Sequence, residues 1–250
     1  MSAVHPLPAE SDKLKNDSRS RILPIYTVVT VVLALVTIIM WLFYAGTDVQ
    51  QGNIQRIFYL HMSSFFCAFL AFGATVLGGV QYLRTRDPKW DTLALAGVEV
   101  GVIFAFINLA TGSIWARPIW NTWWTWDPRL TSAAVMVLTY IAYLMLRRGI
   151  ENVETRRRFA SIYGILAITT VIFTLIVIRI RPDTIHPAVI GPSAANASGE
   201  FEVTAGIGAT LGATLFVWTV FVTPTLINWR IRLENATQRL EQLKAQYMEK

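Results

Sequence analysis

Residues 92–116 read TLALAGVEVGVIFAFINLATGSIWA, and residues 117–129 follow as RPIWNTWWTWDPR. The first stretch holds one formal charge, Glu99, in 25 residues. At 1.5 Å per residue such a helix is about 37 Å long, enough to cross roughly 30 Å of hydrocarbon. The second stretch is of another kind. Five of the nine tryptophans, Trp115, Trp120, Trp123, Trp124 and Trp126, fall within twelve residues and run into Asp127. A membrane-interface belt accounts for one or two tryptophans at a helix end. Five together offer a broad aromatic wall edged with N–H donors, which asks for something flat to lie against.

Outward from this stretch, five more segments contain no Asp, Glu, Lys or Arg: Ile22–Thr47, Ile57–Leu83, Leu130–Leu146, Phe159–Ile178 and Val203–Ile227. The chain is 15% charged and 54% hydrophobic, with a mean hydropathy of +0.45, whereas soluble domains run near 25% charged. Short connections favour one compact unit. The sequence therefore predicts an all-α integral membrane protein, six transmembrane helices in a single bundle. Leu130–Leu146, at 17 residues, is the shortest span. The predicted organisation is a polar cytoplasmic tail at 1–21, a six-helix domain at 22–227 with a Trp-rich loop at 115–129, and an amphipathic helical tail at 228–250. In that last tail Leu233, Leu240, Leu243 and Tyr247 recur among charges. The first apolar run is too long for the core of a secretory signal and lacks a clean cleavage site, so it reads as an uncleaved spanning helix. Gly208 and Gly212, with Ala205, Ala209 and Ala213 nearby, predict a small-residue face for close helix contact.

Positive charge sets the orientation. With the N-terminus cytoplasmic, 17 of the 22 basic residues lie inside; Arg56, Arg117, Arg129, Arg179 and Arg181 lie outside. Both termini are therefore expected in the cytoplasm. The net charge of +6 reflects this topology, and no basic soluble face suggests nucleic acid as a partner.

The first, third and fifth loops of a six-helix protein share one side, whichever way it is inserted. His61, near the start of the second helix, the Trp cluster, and His186, in the fifth loop, consequently meet on one face. His5 sits on the other side and has no expected role. A neutral imidazole is a common metal ligand, and haem iron accepts histidine readily. Two axial histidines with a flat macrocycle between them would also give the tryptophans a partner. Zinc fits less well, since it generally takes three or four N, S or O ligands. The flanking Arg56, Arg117, Arg129, Arg179 and Arg181 suit either haem propionates or lipid phosphates. Asp127 has three open readings: a pair with Arg129, a pair with Arg117, or a face for a partner. Glu99, a carboxylate within a span, has a structural or partner-helix role as its first reading. Cys67 is the only cysteine, so no internal disulfide forms, and no Cys-x-x-Cys-His motif attaches haem covalently. No acid–base or nucleophile constellation is present, so the chain is not expected to be an enzyme.

The stretch from Trp115 to Ser132 resembles the tryptophan-rich WWD signature of the haem-handling proteins of cytochrome c maturation. With Arg56-Ile-Phe-Tyr-Leu-His61, the size and the six helices, the chain is similar to the haem exporter protein C (CcmC) family over about Ile22 to Ile227. The resemblance implies a multi-pass protein of the bacterial inner membrane with its haem site on the outer, periplasmic face. It implies haem b held without covalent attachment by axial His61 and His186, on a platform from Trp115 to Asp127. It implies delivery of haem to a small membrane-tethered haem chaperone, beside an ABC transporter and small membrane subunits of the cytochrome c maturation complex. Asn121 stands where the signature usually has glycine, Pro128 where alanine is common, and Ser63 near a frequent proline. None of these departures touches a ligand. Two other readings compete, a b-type cytochrome subunit in electron transfer and a haem-free permease subunit. The first commonly places its ligands within helices at two depths; the second leaves the Trp cluster without a purpose.

Overall fold

A computed structural model describes residues 10–189, 191–200 and 202–248, with side chains from residue 22 onward. His5 and the first nine residues of the polar tail lie outside the described residues. The elements are α1 (Glu10–Ile39), α2 (Ile57–Thr85), α3 (Pro88–Trp120), α4 (Pro128–Gly149), α5 (Val153–Ile180), α6 (Ala205–Val217) and α7 (Thr223–Met248). A π-helical turn at Met40–Tyr44 extends α1, and another at Trp218–Val222 joins α6 to α7 without a break. Six of the resulting rods are long and apolar enough to cross a membrane. The protein is an all-α, multi-pass membrane protein, as its six charge-poor segments lead one to expect.

The helix ends follow from local chemistry. Two Asp-Pro pairs start α3 and α4: the Asp87 carboxylate accepts from the Lys89 N–H at 3.0 Å, and that of Asp127 from the Arg129 N–H at 2.8 Å. Proline in the first turn of a helix has no N–H to leave unpaired there. This cap starts α4 at Pro128 and gives it 22 residues, so the span that looked shortest is long enough. Asn121 ends α3 in the left-handed conformation at φ 54°. That is the position where glycine is usual and asparagine is tolerated.

Three element boundaries differ from the sequence reading. α1 begins at Glu10, so part of the polar tail is helix. α3 continues through Trp120, leaving only residues 121–127 of the Trp-rich stretch as a loop. Pro118 does not stop α3, a tolerance common in membrane helices, where neighbours satisfy the freed carbonyl. The C-terminal tail is not a separate helix, because Ala205–Met248 runs as one rod.

α2 and α3 pack back to back at the centre of the bundle. A Cβ at Gly78 would lie 2.6 Å from the Trp90 carbonyl oxygen, and one at Gly97 would lie 2.5 Å from that of Ala71. Glycine lets the two backbones approach closely, which is how helices associate where lipid removes the hydrophobic drive. The small-residue face predicted on the last helix does not act this way. A Cβ at Gly212 would meet nothing within 4 Å, and one at Gly208 only the Val203 side chain at 3.5 Å. Around the α2–α3 spine α4 and α5 complete the core, with Phe72 and Tyr140 stacked at 3.5 Å between ring centres.

At the inner end, charge is neutralised in place. Arg147 on α4 clasps Asp91 on α3 with two bonds of 2.5 and 2.9 Å, and Arg157 on α5 adds a contact of 3.4 Å. Glu99 pairs with Arg230 on α7, which also holds Glu234 at 3.0 Å. The Glu99 carboxylate thus ties α3 to α7.

Candidate functional site

At the opposite end α2, α3, α4 and the third and fifth loops enclose a cavity of about 440 Å³. His61, Trp115, Trp120, Trp124, Arg129 and His186 all line it. The co-location argued from loop parity is therefore seen in the fold.

His61 sits in the second turn of α2 and faces α3. Its shortest ring contact is from Nδ1 to the Asn108 carbonyl oxygen at 3.0 Å, with the Thr111 hydroxyl at 3.2 Å. A carbonyl only accepts, so that contact puts the proton on Nδ1; the Asn108 side-chain amide lies 3.3 Å from Nδ1 and 3.5 Å from Nε2. The Asn108 amide also donates to the His61 carbonyl at 2.8 Å, locking the two helices in register. Gly112 makes room for the ring: a Cβ there would lie 3.1 Å from His61 Cε1.

His186 arrives from the fifth loop. Its Nδ1 lies 2.8 Å from the Pro187 carbonyl oxygen, which again places the proton on Nδ1 and leaves Nε2 bare. Enclosure in the cavity wall, and secondarily the positive charge of Arg129, push its pKa down to about 4. The ring is neutral at physiological pH, the form that binds metals.

The two imidazole rings lie with centres 6.4 Å apart and planes inclined by 30°. Metal–imidazole bonds of about 2 Å on both sides, plus about 1 Å from nitrogen to each ring centre, span about 6 Å. The spacing suits one metal atom shared by both rings. Among the described residues no group of three or more His, Cys, Asp or Glu side chains is placed to hold a metal. A two-imidazole site fits an ion whose remaining ligands come with it, such as iron in a macrocycle.

The tryptophans divide. Trp115 and Trp120 stand on the last turns of α3, edge to face at 5.1 Å, and Trp120 meets the His186 ring edge-on at 6.2 Å. Their N–H groups tie the loops together: Trp115 donates to the Gln51 side chain at 2.9 Å, and Trp120 to the Ser198 carbonyl at 3.3 Å. Gln51 in turn donates to the Gly199 carbonyl at 2.5 Å. Gly199 adopts φ +84°, and a Cβ there would strike the Trp115 ring at 2.6 Å. Trp124 lines the cavity from the loop after α3. Trp123 and Trp126 do not line it; they are 59% and 82% exposed. The five indoles are not one continuous wall, because two ride a helix while three alternate along a short loop.

The arginines and Asp127 also separate. Arg129 lies over the Phe65 ring at 4.8 Å, and its buried Nη1 has no hydrogen-bond partner among the described residues. It is the one of Arg56, Arg117 and Arg129 that lines the cavity, ready for an anionic group. Arg117 is turned back onto Asn121, donating to its carbonyl and side-chain oxygens at 2.7 and 2.6 Å. Asp127 pairs with neither arginine side chain. Its buried carboxylate is occupied by backbone and a hydroxyl: Arg129 N–H, Thr184 Oγ1 at 2.9 Å and Ile185 N–H at 2.7 Å. Sequence reasoning did not pick out Asn108, Thr111 and Gly112, whose signal is a small or polar residue at helical spacing opposite a histidine.

A family model described as heme exporter protein C (CcmC) matches residues 9–243. The chain belongs to the heme exporter protein C family. It is 34% identical to the Haemophilus influenzae heme exporter protein C over 154 residues, 62% of this chain and 61% of the relative. It is 33% identical to the Paracoccus denitrificans protein of that name over 141 residues, 56% of this chain and 57% of the relative. The Escherichia coli K12 protein matches at 33% over 146 residues, 58% of this chain and 60% of the relative. The chain spans about three-fifths of the length of these curated relatives.

Proposed function

We propose that this protein handles haem for cytochrome c maturation: it holds haem b between His61 and His186 at the outer, periplasmic end of its bundle and passes it to a membrane-tethered haem chaperone. The observation that carries this reading is the histidine pair, 6.4 Å between ring centres, with each Nδ1 spent on a carbonyl. Haem would supply the iron, and the Nε2 atoms of His61 and His186 would be its ligands from this chain. Trp120 and Trp124 shape the cavity toward a flat apolar face, and Arg129 offers its unpartnered Nη1 to a propionate. Release then needs only exchange of one axial imidazole for a ligand on the chaperone. His186, on a loop, is the one free to leave without moving a helix. An ABC transporter and small membrane subunits complete the assembly in this reading. The chain's own residues bind and present the cargo and perform no catalysis.

An absorption spectrum of the purified protein loaded with haem tests the site. The wild type should show a six-coordinate, low-spin band. His186→Ala should lose it, and added imidazole should restore it by filling the vacated position. A His186→Ala protein with the wild-type spectrum would overturn the two-histidine site.

A further inference from the structure

Asp127 lies in the buried seam where the loop after α3, the start of α4 and the His186 loop meet, and the proposed site makes no use of it as a haem contact. One carboxylate oxygen accepts from the Arg129 N–H at 2.8 Å and from the Thr184 hydroxyl at 2.9 Å. The other accepts from the Ile185 N–H at 2.7 Å. Thr184, fully buried, relays the contact onward: its Oγ1 accepts from the His186 N–H at 3.3 Å. On the far side the Ile185 carbonyl accepts from the Ser198 N–H at 3.0 Å, and the Ser198 carbonyl accepts from Trp120. The two residues before His186 are therefore gripped from both sides, and Asp127 is the only charged member of the grip.

We infer that Asp127 is a positioning residue that fixes the His186 imidazole against the first turn of α4, without touching the cargo itself. A carboxylate suits this task because it offers about four lone-pair sites and accepts from three donors at once. Charge-assisted bonds of this kind are roughly twice as strong as neutral ones, which matters for a loop that no helix holds. The same residue caps α4, so one side chain sets both Arg129 and His186 relative to each other. The inference rests on the histidine-pair reading above.

The test uses Asp127→Asn, Thr184→Val and His186→Ala in the full-length, haem-loaded protein. Asparagine keeps the helix cap, since it caps about as well as aspartate, but it loses the second acceptor for Ile185 N–H. Partners that orient a metal-ligating histidine are typically worth 10–100-fold in metal affinity. Asp127→Asn should accordingly lose haem roughly tenfold faster and show a part five-coordinate spectrum that imidazole returns to low-spin. Thr184→Val should shift the same way by less, and both should speed proteolytic cleavage of the 182–204 loop in the haem-free protein. Adding Asp127→Asn to His186→Ala should cause no further loss, because the positioned group is gone. A wild-type spectrum and dissociation rate in Asp127→Asn, with the band lost in His186→Ala, would overturn the positioning role alone. A wild-type spectrum in His186→Ala would remove the site reading and this inference with it. If Asp127→Asn fails to accumulate, an unchanged rate in Thr184→Val overturns the inference.

Discussion

The two ends of the bundle treat charge in opposite ways. At one end two carboxylates of α3 are closed off by arginine: Asp91 by Arg147 and Arg157, Glu99 by Arg230. At the other end an arginine nitrogen and two imidazoles border a cavity, and the buried carboxylates there, Asp48 and Asp127, are spent on loop backbone. Charges paired with one another hold helices together and have little left to offer a ligand. An unsaturated network costs stability, since buried polar groups without partners are expensive, and is kept where something else completes it. With the function proposed above, the contrast puts stability at one end and binding at the other.

Breaking the inner end should have the largest effect. Asp91→Ala leaves Arg147, whose side chain is only 10% exposed, without its partner. Removing one member of such a pair costs about 3–5 kcal/mol. The thermal midpoint of the purified protein should fall sharply, while any folded fraction keeps the low-spin haem spectrum; a lost spectrum in still-folded protein would show that the ends are not separable. Crowding the outer end comes next. Gly112→Val pushes on the His61 ring, and overpacking of this kind typically costs about 1–3 kcal/mol. Here the loss should appear as faster haem dissociation and a five-coordinate component, with membrane insertion unchanged.

The aromatic cluster gives a finer test. Trp124→Ala should weaken haem retention by about 0.5–1.5 kcal/mol, the worth of one aromatic pairing. Trp123→Ala should leave retention unchanged, because Trp123 faces away from the cavity. Equal effects from the two would return the cluster to an interfacial belt. The smallest effect is on pH. With the His186 pKa lowered to about 4, the ring stays neutral as pH falls from 7 to 5, and protonation competes with ligation only as pH passes through about 4. A spectrophotometric titration should be flat down to pH 5. A transition near the ordinary histidine value of about 6.5 would show that the ring is not enclosed.

The bundle was legible because the absence of charge over some twenty residues has one common physical cause, a hydrocarbon solvent. The meeting of His61, His186 and the tryptophans was legible from parity alone, which needs no coordinates. What escaped was direction. Spacing along a seven-residue loop does not say that Trp124 turns inward while Trp123 and Trp126 turn out. Nor does charge say that Arg117 folds back on Asn121 while Arg129 faces the cavity. Asp127 carried a local signal that the sequence reading passed over: Asp before Pro marks a helix start, and the α4 cap sits there. Its hold on Thr184 and Ile185 joins residues 57 apart in sequence or more, a relation no local pattern carries. Asn108 and Thr111 escaped for the same reason, since they matter only once α3 lies against His61.

The unbroken rod from Ala205 to Met248 has a mechanical meaning. At 1.5 Å per residue its 44 residues measure about 66 Å, more than twice the roughly 30 Å of hydrocarbon it crosses. The remainder stands beyond the hydrocarbon as a mast. Its foot is stepped at Arg230, where Glu99 of α3 grips it, and α3 is the helix whose far end carries Trp115 and Trp120. A sideways force on the tip would thus be felt first at the Glu99 footing, on the same rigid helix that shapes the outer cavity.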